Sequence, residues 1–227
     1  MPGKVPTTAQ NIDSIVYGDL LLIDKQKISC SDRIISYFFV TGLINSFLDM
    51  APPSNSSQQT INELLFLERV TANATDEDIE FSTKAEVTEK KVYEDFCNRV
   101  LNLNYTEDDF IKLFDQVDPI LMLLKQHYNR PRPYQLAPYF NIQIMFKVPV
   151  DAMHPAYPSG HALDAYIFAN IFKKLKPEFS EKIEALANKM AESRFIAGTH
   201  YPSDNIISKK LADTLVAHNL IKLPKKV

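Results

Sequence analysis

The sequence predicts an all-α fold, and two observations carry that prediction. Apolar residues recur at spacings of three and four along most of the chain, as in helices that bury one face. Only five glycines occur in 227 residues, and no series of alternating strands is visible. Because 45% of the residues are hydrophobic and 23% are charged, we expect an ordinary globular core rather than disorder.

Helices are predicted wherever this spacing persists between proline-, serine- and glycine-containing breaks. The predicted segments are 29–49, 59–70, 86–102, 106–128, 160–175, 179–197 and 203–220. The polar, acidic run at 71–85 is predicted to be a surface excursion. Residues 139–150, with several β-branched and aromatic side chains, form the only stretch that predicts a strand.

One domain is expected over residues 16–227, after a loose arm at 1–15. The most apolar stretch, 34–48, is too short to span a bilayer, and the first residues lack the apolar part of a secretory signal. We therefore expect a cytoplasmic protein with no membrane span; a periplasmic one would require that a signal had been removed. Cys30 and Cys97 are expected to be buried thiols, and a net charge of −3 argues against a nucleic-acid partner.

The first of three chemically suggestive loops follows the 106–128 segment. Lys125 lies on its last turns, and Arg132 follows in a double Arg-Pro unit that favours an extended exit from the helix. Taken alone, these cations could simply complement the dipole at a helix C-terminus. Arg130 offers a competing register for the second cation, although the spacing from Lys125 favours Arg132.

The second loop, 158–161, precedes an apolar helix. Proline and serine at this place are ordinary helix-start signals, so Ser159 is expected to cap the helix. Capping does not explain the next two residues. Gly160 permits close approach of a ligand to helix-start amides, and His161 on the first turn would then face a bound anion.

The third loop joins the last two predicted helices. Arg194 lies near the end of one helix, Gly198 is predicted to terminate it, and His200 falls in the turn. Asp204 is four residues further on, close enough to accept a hydrogen bond from one imidazole nitrogen and leave the other as a nucleophile. The competing interpretation is a surface His–Asp pair of little energetic value.

Together the three loops contain the residue types that binding and cleaving a phosphate ester requires. Arginines can form bidentate, charge-assisted hydrogen bonds to phosphoryl oxygens, and a lysine adds a point charge. One histidine could attack phosphorus, and a second could protonate the leaving alkoxide.

At these residues the chain resembles the type 2 phosphatidic acid phosphatase (PAP2) superfamily. Its signature has three parts: Lys-x6-Arg-Pro, Pro-Ser-Gly-His, and Ser-Arg-x5-His-x3-Asp. The matching positions are Lys125, Arg132, Pro133, Pro158, Ser159, Gly160, His161, Ser193, Arg194, His200 and Asp204. The resemblance covers residues 125–204, and no motif could be aligned before about residue 105.

The resemblance implies roles residue by residue. His200 would be the nucleophile, oriented by Asp204, and His161 would protonate the leaving group and later activate water. The phosphate would be held by Lys125, Arg132, Ser159, Gly160 and Arg194. It also implies a compact helical bundle and a phosphorylated small-molecule substrate, with neither a metal nor another cofactor in the phosphatase members.

Bacterial class A acid phosphatases, similar in length, are the members that the chain resembles most. It departs from them in lacking an export signal and in having Ala162 where they commonly have threonine. Two alternatives stay open. One is a vanadium-dependent haloperoxidase, in which vanadate would be a cofactor rather than an inhibitor, and the other is a non-catalytic anion-binding protein.

Overall fold

A computed structural model describes residues 12–18, 33–150 and 153–224. Within these ranges the chain forms helices and no strand, so the prediction of an all-α fold is confirmed. The α-helices are α1 (Arg33–Val40), α2 (Leu43–Leu48), α3 (Gln58–Asn73), α4 (Asp76–Val87), α5 (Glu89–Arg99), α6 (Glu107–Phe114), α7 (Asp118–Tyr128), α8 (Pro133–Leu136), α9 (Gly160–Leu175), α10 (Ser180–Ile196) and α11 (Pro202–Ala217). Short 3-10 helices cover Ala137–Phe140 and Pro177–Phe179.

Two predicted helices are each divided in two. The described part of 29–49 breaks between α1 and α2 at Gly42, whose φ of 73° is a left-handed conformation that a side chain would disfavour. The 106–128 segment breaks between α6 and α7. Residues 1–11, in the predicted arm, and Cys30 lie outside the described residues, whereas Cys97 is buried in the core.

The prediction of a surface excursion at 71–85 is wrong. Helix α3 runs to Asn73, and α4 begins three residues later. Thr75 caps α4 by accepting a hydrogen bond from the Asp78 amide, and the Asp78 carboxylate accepts one from the Thr75 amide in return. Acidic residues in a first turn also complement the helix dipole, so the charge run that suggested a loop stabilises a helix start.

The strand predicted at 139–150 is also wrong. Its alternating Ile142 and Ile144 are indeed buried, as in a strand. The backbone, however, pairs with side chains of α3: the Gln143 amide donates to Glu68 and the Met145 amide donates to Thr71. A helix thus satisfies the polar groups that a neighbouring strand would otherwise bond.

Helix α9 lies at the centre and packs against α10 and α11. Its Phe168 and Phe172 stack with ring centroids 4.6 Å apart, and Tyr93 of α5 lies 4.8 Å from Phe168. The contacts of α9 with both neighbours hold the starts of α9 and α11 in a fixed relation, which matters because the predicted site residues lie there. No helix in the described ranges combines the length and apolarity required to cross a bilayer.

Candidate active site

The three predicted loops meet, joined by hydrogen bonds between their backbones. The Ala156 amide donates to the Arg130 carbonyl at 3.0 Å, and the Ser159 amide donates to the Asp204 carbonyl at 3.4 Å. The Ser208 hydroxyl, on α11, donates to the Ser159 carbonyl at 2.8 Å. Loops far apart in sequence therefore form one buried surface.

His200 lies at the centre of this surface. Its Nδ1 is 3.0 Å from Asp204 Oδ2, which also accepts the Tyr201 amide at 2.9 Å. A carboxylate at Nδ1 places the imidazole proton there and leaves a lone pair on Nε2. Nε2 lies 2.7 Å from Arg132 Nη1, so with the ring proton on Nδ1 this lone pair accepts a hydrogen bond from the guanidinium.

The turn that carries His200 depends on Gly198. Its φ of +69° is left-handed, and a Cβ there would lie 2.6 Å from Ile144 Cγ2. The predicted helix terminator is thus required both by conformation and by space.

Lys125, Arg132 and Arg194 are all buried around the histidine. Backbone carbonyls orient the first two: Lys125 Nζ donates to Pro155 at 2.6 Å, and Arg132 Nε donates to His154 at 2.8 Å. These bonds hold the cationic side chains in place while leaving further N–H groups available.

The clustering of cations changes their protonation equilibria. Burial and the adjacent Arg132 push the pKa of Lys125 well below its ordinary value, and burial together with Arg194 lowers the pKa of Arg132 to about 10. Burial and the same cations push the pKa of His200 well below its ordinary value, so its imidazole is neutral near pH 7. The cluster therefore favours any anion that would restore charge balance.

The second loop places a helix N-terminus beside these cations. Ser159 is the N-cap, with its hydroxyl accepting from the Ala162 amide at 3.4 Å, and Gly160 is the first helical residue. A Cβ on Gly160 would approach Leu121 to 3.3 Å, so α9 starts in close contact with α7. The first amides of a helix lack partners within the helix, and such amides are suited to binding anions.

His161 is the more accessible histidine, with 26% of its side chain exposed. Its Nε2 lies 4.0 Å from a carboxylate oxygen of Glu86 and 3.9 Å from one of Glu89. Glu86 also forms an ion pair with Arg194. Burial and the charge of Arg194 lower the pKa of His161 well below its ordinary value, while burial raises the pKa of Glu89.

Four residues of this region were missed by the sequence analysis or assigned no role. Arg130 donates a hydrogen bond to Asp204 Oδ1, the carboxylate oxygen that does not face His200. The same guanidinium donates a second hydrogen bond to Glu63 of α3. Glu86 and Glu89 flank His161. The helical spacing that buries Leu64 and Leu67 also brings Glu63 to the inner face of α3, a signal that could have identified it.

The remaining histidines are peripheral. His154 is exposed, and its carbonyl accepts the hydrogen bond from Arg132 Nε. His127 and His218 are exposed, as the sequence suggested.

A family model described as the PAP2 superfamily matches residues 117–217. Over this segment the chain is similar to the PAP2 superfamily. The resemblance noted in the sequence is confirmed at that level, whereas the class A acid phosphatase subtype stays a prediction. No curated protein matches the chain.

The PAP2 match extends from the end of the α6–α7 connection to the end of α11 and contains every predicted site residue. PAP2 superfamily members are typically phosphatases. Helices α1 to α6 lie outside the match, although α3 and α4 contribute Glu63 and Glu86 to the same surface.

Proposed function

We propose that the protein is a metal-independent phosphomonoesterase that hydrolyses phosphate esters through a phosphohistidine intermediate. The observation that carries this proposal is the geometry of His200, whose Nδ1 faces the Asp204 carboxylate and whose Nε2 faces Arg132. This leaves a neutral imidazole with its lone pair directed toward buried cations. An electrophile that brings its own negative charge is the reactant that such a site favours.

Phosphate binding follows from charge balance. Lys125 and Arg132 are buried next to one another and to Arg194, which is why the pKa of each of the first two is lowered. A phosphate dianion among them would accept charge-assisted hydrogen bonds and raise the pKa of both side chains toward the ordinary value. Ser159 and the Gly160 amide would bind a further phosphoryl oxygen at the start of α9.

In the first chemical step, His200 Nε2 forms a bond to phosphorus as the bond from phosphorus to the ester oxygen breaks. The leaving alkoxide takes a proton from protonated His161. Asp204 stabilises the positive charge that develops on the His200 ring.

In the second step, neutral His161 removes a proton from water, and the oxygen attacks phosphorus. The bond between phosphorus and His200 Nε2 breaks, and inorganic phosphate leaves. Both histidines return to their initial protonation states, so no redox partner or other co-reactant is needed.

His161 must be protonated when the substrate is bound, although the neighbouring protein cations lower its pKa. The negative charge of a bound phosphate opposes Arg194 and Lys125 and raises the pKa of His161 again. An ionised carboxylate near Nε2 would act in the same direction, and Glu86 and Glu89 each place an oxygen about 4 Å from it. Substrate binding therefore raises the pKa of His161 and favours the protonated ring that the first step requires.

The test is hydrolysis of a phosphate-ester panel, beginning with p-nitrophenyl phosphate, together with trapping of the intermediate. Rapid denaturation during turnover of a 32P-labelled ester should give an acid-labile, base-stable label on the wild type and on His127→Gln, an exposed control. His200→Gln should give neither label nor turnover. Turnover by His200→Gln at the wild-type rate would refute the mechanism.

Halide oxidation in the presence of vanadate is measured in parallel. Vanadate has the shape and charge of the phosphoryl transition state, so the proposed phosphatase should bind it as an inhibitor. Halide oxidation without ester hydrolysis would establish the haloperoxidase alternative, and binding of phosphate with neither activity would establish an anion-binding protein.

A further inference from the structure

We propose that Arg130 is a positioning residue that fixes Asp204, and through it His200, and that Glu63 holds Arg130 in place from outside the family-matched segment. The proposal rests on the proposed function, because it assigns Arg130 a part in the same reaction. Arg130 precedes Arg132 by two residues, yet the two guanidinium groups bond opposite sides of the His200–Asp204 pair.

Arg130 is bound behind the catalytic pair and not toward the phosphate site. Its Nη1 donates to Asp204 Oδ1 at 2.6 Å and to Ser203 Oγ at 2.8 Å. The guanidinium also lies 3.8 Å from the centre of the Tyr201 ring. Only 2% of its side chain is exposed, so its charge is balanced within the protein rather than by solvent.

Glu63 fixes the other end of the guanidinium. Its Oε2 accepts from Arg130 Nη2 at 3.2 Å and from Ser203 Oγ at 2.8 Å, and its Oε1 accepts from the Ser203 amide at 3.0 Å. The carboxylate therefore bonds both the arginine and the first turn of α11, which carries Asp204. Arg130 cannot rotate away without leaving a buried carboxylate unpaired.

The two oxygens of Asp204 have separate partners. Oδ1 accepts from Arg130, while Oδ2 accepts from His200 and from the Tyr201 amide. Because Arg130 occupies Oδ1, it determines which oxygen faces the imidazole. This arrangement keeps the proton of His200 on Nδ1.

Arg130 also keeps Asp204 ionised. Burial raises the pKa of Asp204 to about 6, and the Arg130 charge is the largest influence in the opposite direction. Without that charge the carboxyl would be protonated at higher pH. A neutral Asp204 could donate to His200 Nδ1, which would shift the imidazole proton to Nε2 and remove the attacking lone pair.

The kinetic test compares Arg130→Met, which removes the charge at similar volume, with Arg130→Lys, which retains it. We expect Arg130→Met to lower kcat by about 10- to 100-fold with little change in KM, as for residues that orient a reacting side chain from behind. The acid limb of its kcat–pH profile should move to higher pH, and Arg130→Lys should recover part of both effects. Arg99→Met, the same change at an exposed position, is the control.

Two kinetic results would overturn the proposal. A rise in KM with unchanged kcat would make Arg130 a substrate ligand. An equal loss of activity in both variants without a shift of the pH profile would make its role merely structural. Should Arg130→Met not fold, Glu63→Gln is measured in its place, with a smaller loss and the same direction of pH shift expected.

An NMR measurement separates this proposal from the proposed function, because it needs no turnover. Imidazole 15N shifts of wild-type His200 should report a neutral ring protonated at Nδ1. Arg130→Met should move the proton toward Nε2 near the pKa of Asp204, and Arg130→Lys should not. An unchanged tautomer in Arg130→Met refutes the positioning role, whereas the expected change in a protein without phosphatase activity refutes only the phosphatase assignment.

Discussion

Arg132 Nη1 lies 2.7 Å from His200 Nε2, so one guanidinium contacts the nitrogen proposed to attack phosphorus. The same Nη1 donates to the Thr199 carbonyl at 2.9 Å, which fixes the plane of the guanidinium. A phosphoryl group approaching Nε2 would meet this donor first. The residue proposed to orient the phosphoryl oxygens is therefore also the cation that, after burial, contributes most to lowering the pKa of His200.

Replacement of Arg132 by lysine should separate charge from geometry. Arg132→Lys keeps a cation but loses the planar fork, so we expect kcat to fall by about 100-fold or more. Steady-state kinetics with p-nitrophenyl phosphate measure the change, and Arg99→Lys at an exposed position is the control. A loss below about threefold would mean that charge alone suffices at this position.

His161→Asn should show a dependence on the leaving group. An alkyl phosphate needs a proton on its leaving oxygen, so its hydrolysis should slow by about 100- to 10,000-fold. p-Nitrophenolate leaves without a proton, so phosphorylation of His200 should persist while hydrolysis of the intermediate slows. Stopped-flow absorbance should record a burst equal to the enzyme concentration, and equal losses on both substrates without a burst would exclude His161 as the acid.

Gly198→Ala tests the turn before His200. The added methyl group meets Ile144 at 2.6 Å in a left-handed conformation, so we expect a loss of about 1–3 kcal/mol in the free energy of unfolding. Urea denaturation measures it. Adding Ile144→Ala relieves the clash but not the backbone strain, so activity lost by Gly198→Ala should return in part. If no activity returns, the whole effect comes from the left-handed backbone conformation at residue 198.

The pH dependence of stability should report the buried His200. Its pKa is lowered in the folded protein, so below about pH 6.5 the unfolded chain takes up a proton that the native protein does not. The contribution of His200 to the free energy of unfolding is therefore fully present above that pH and is lost as the pH falls. Between pH 7 and pH 5, the free energy of unfolding should therefore fall less in His200→Asn than in the wild type. The difference between the two should be up to about 2 kcal/mol. Identical losses in wild type and His200→Asn would contradict the assignment.

Glu86→Gln should tighten the binding of anions. Glu86 pairs with Arg194, so a phosphate must compete with a carboxylate for that arginine. Removing the charge should lower the inhibition constant of inorganic phosphate by about tenfold, which corresponds to about 1.4 kcal/mol. Exposed Glu178→Gln is the control, and weaker inhibition in Glu86→Gln would mean that Glu86 orients Arg194 rather than competing for it.

Local signals account for what the sequence predicted correctly. Ser159 as a cap and Gly198 as a terminator act within a few residues of themselves, and the structure has each in that place. The contact of Asp204 with His200 likewise spans four residues on one turn. Such short-range geometry is readable without knowledge of the tertiary packing.

Long-range pairing accounts for what was missed. Glu63 and Arg130 are 67 positions apart, and Glu86 and Arg194 are 108 positions apart. A charged residue on a helix is ordinarily exposed, and only a partner from a distant part of the chain explains its burial. The strand predicted at 139–150 failed for a related reason, because side chains of α3 bond its backbone.

Glu63 also bears on where this protein could be divided. It lies on α3, well before the segment 117–217 that matches the family, yet it bonds two residues inside that segment. Excision of the matched segment would leave the Arg130 guanidinium without one of its two carboxylate partners. The family-matched residues are therefore not a transplantable module: their centre is completed by a helix from the other half of the chain.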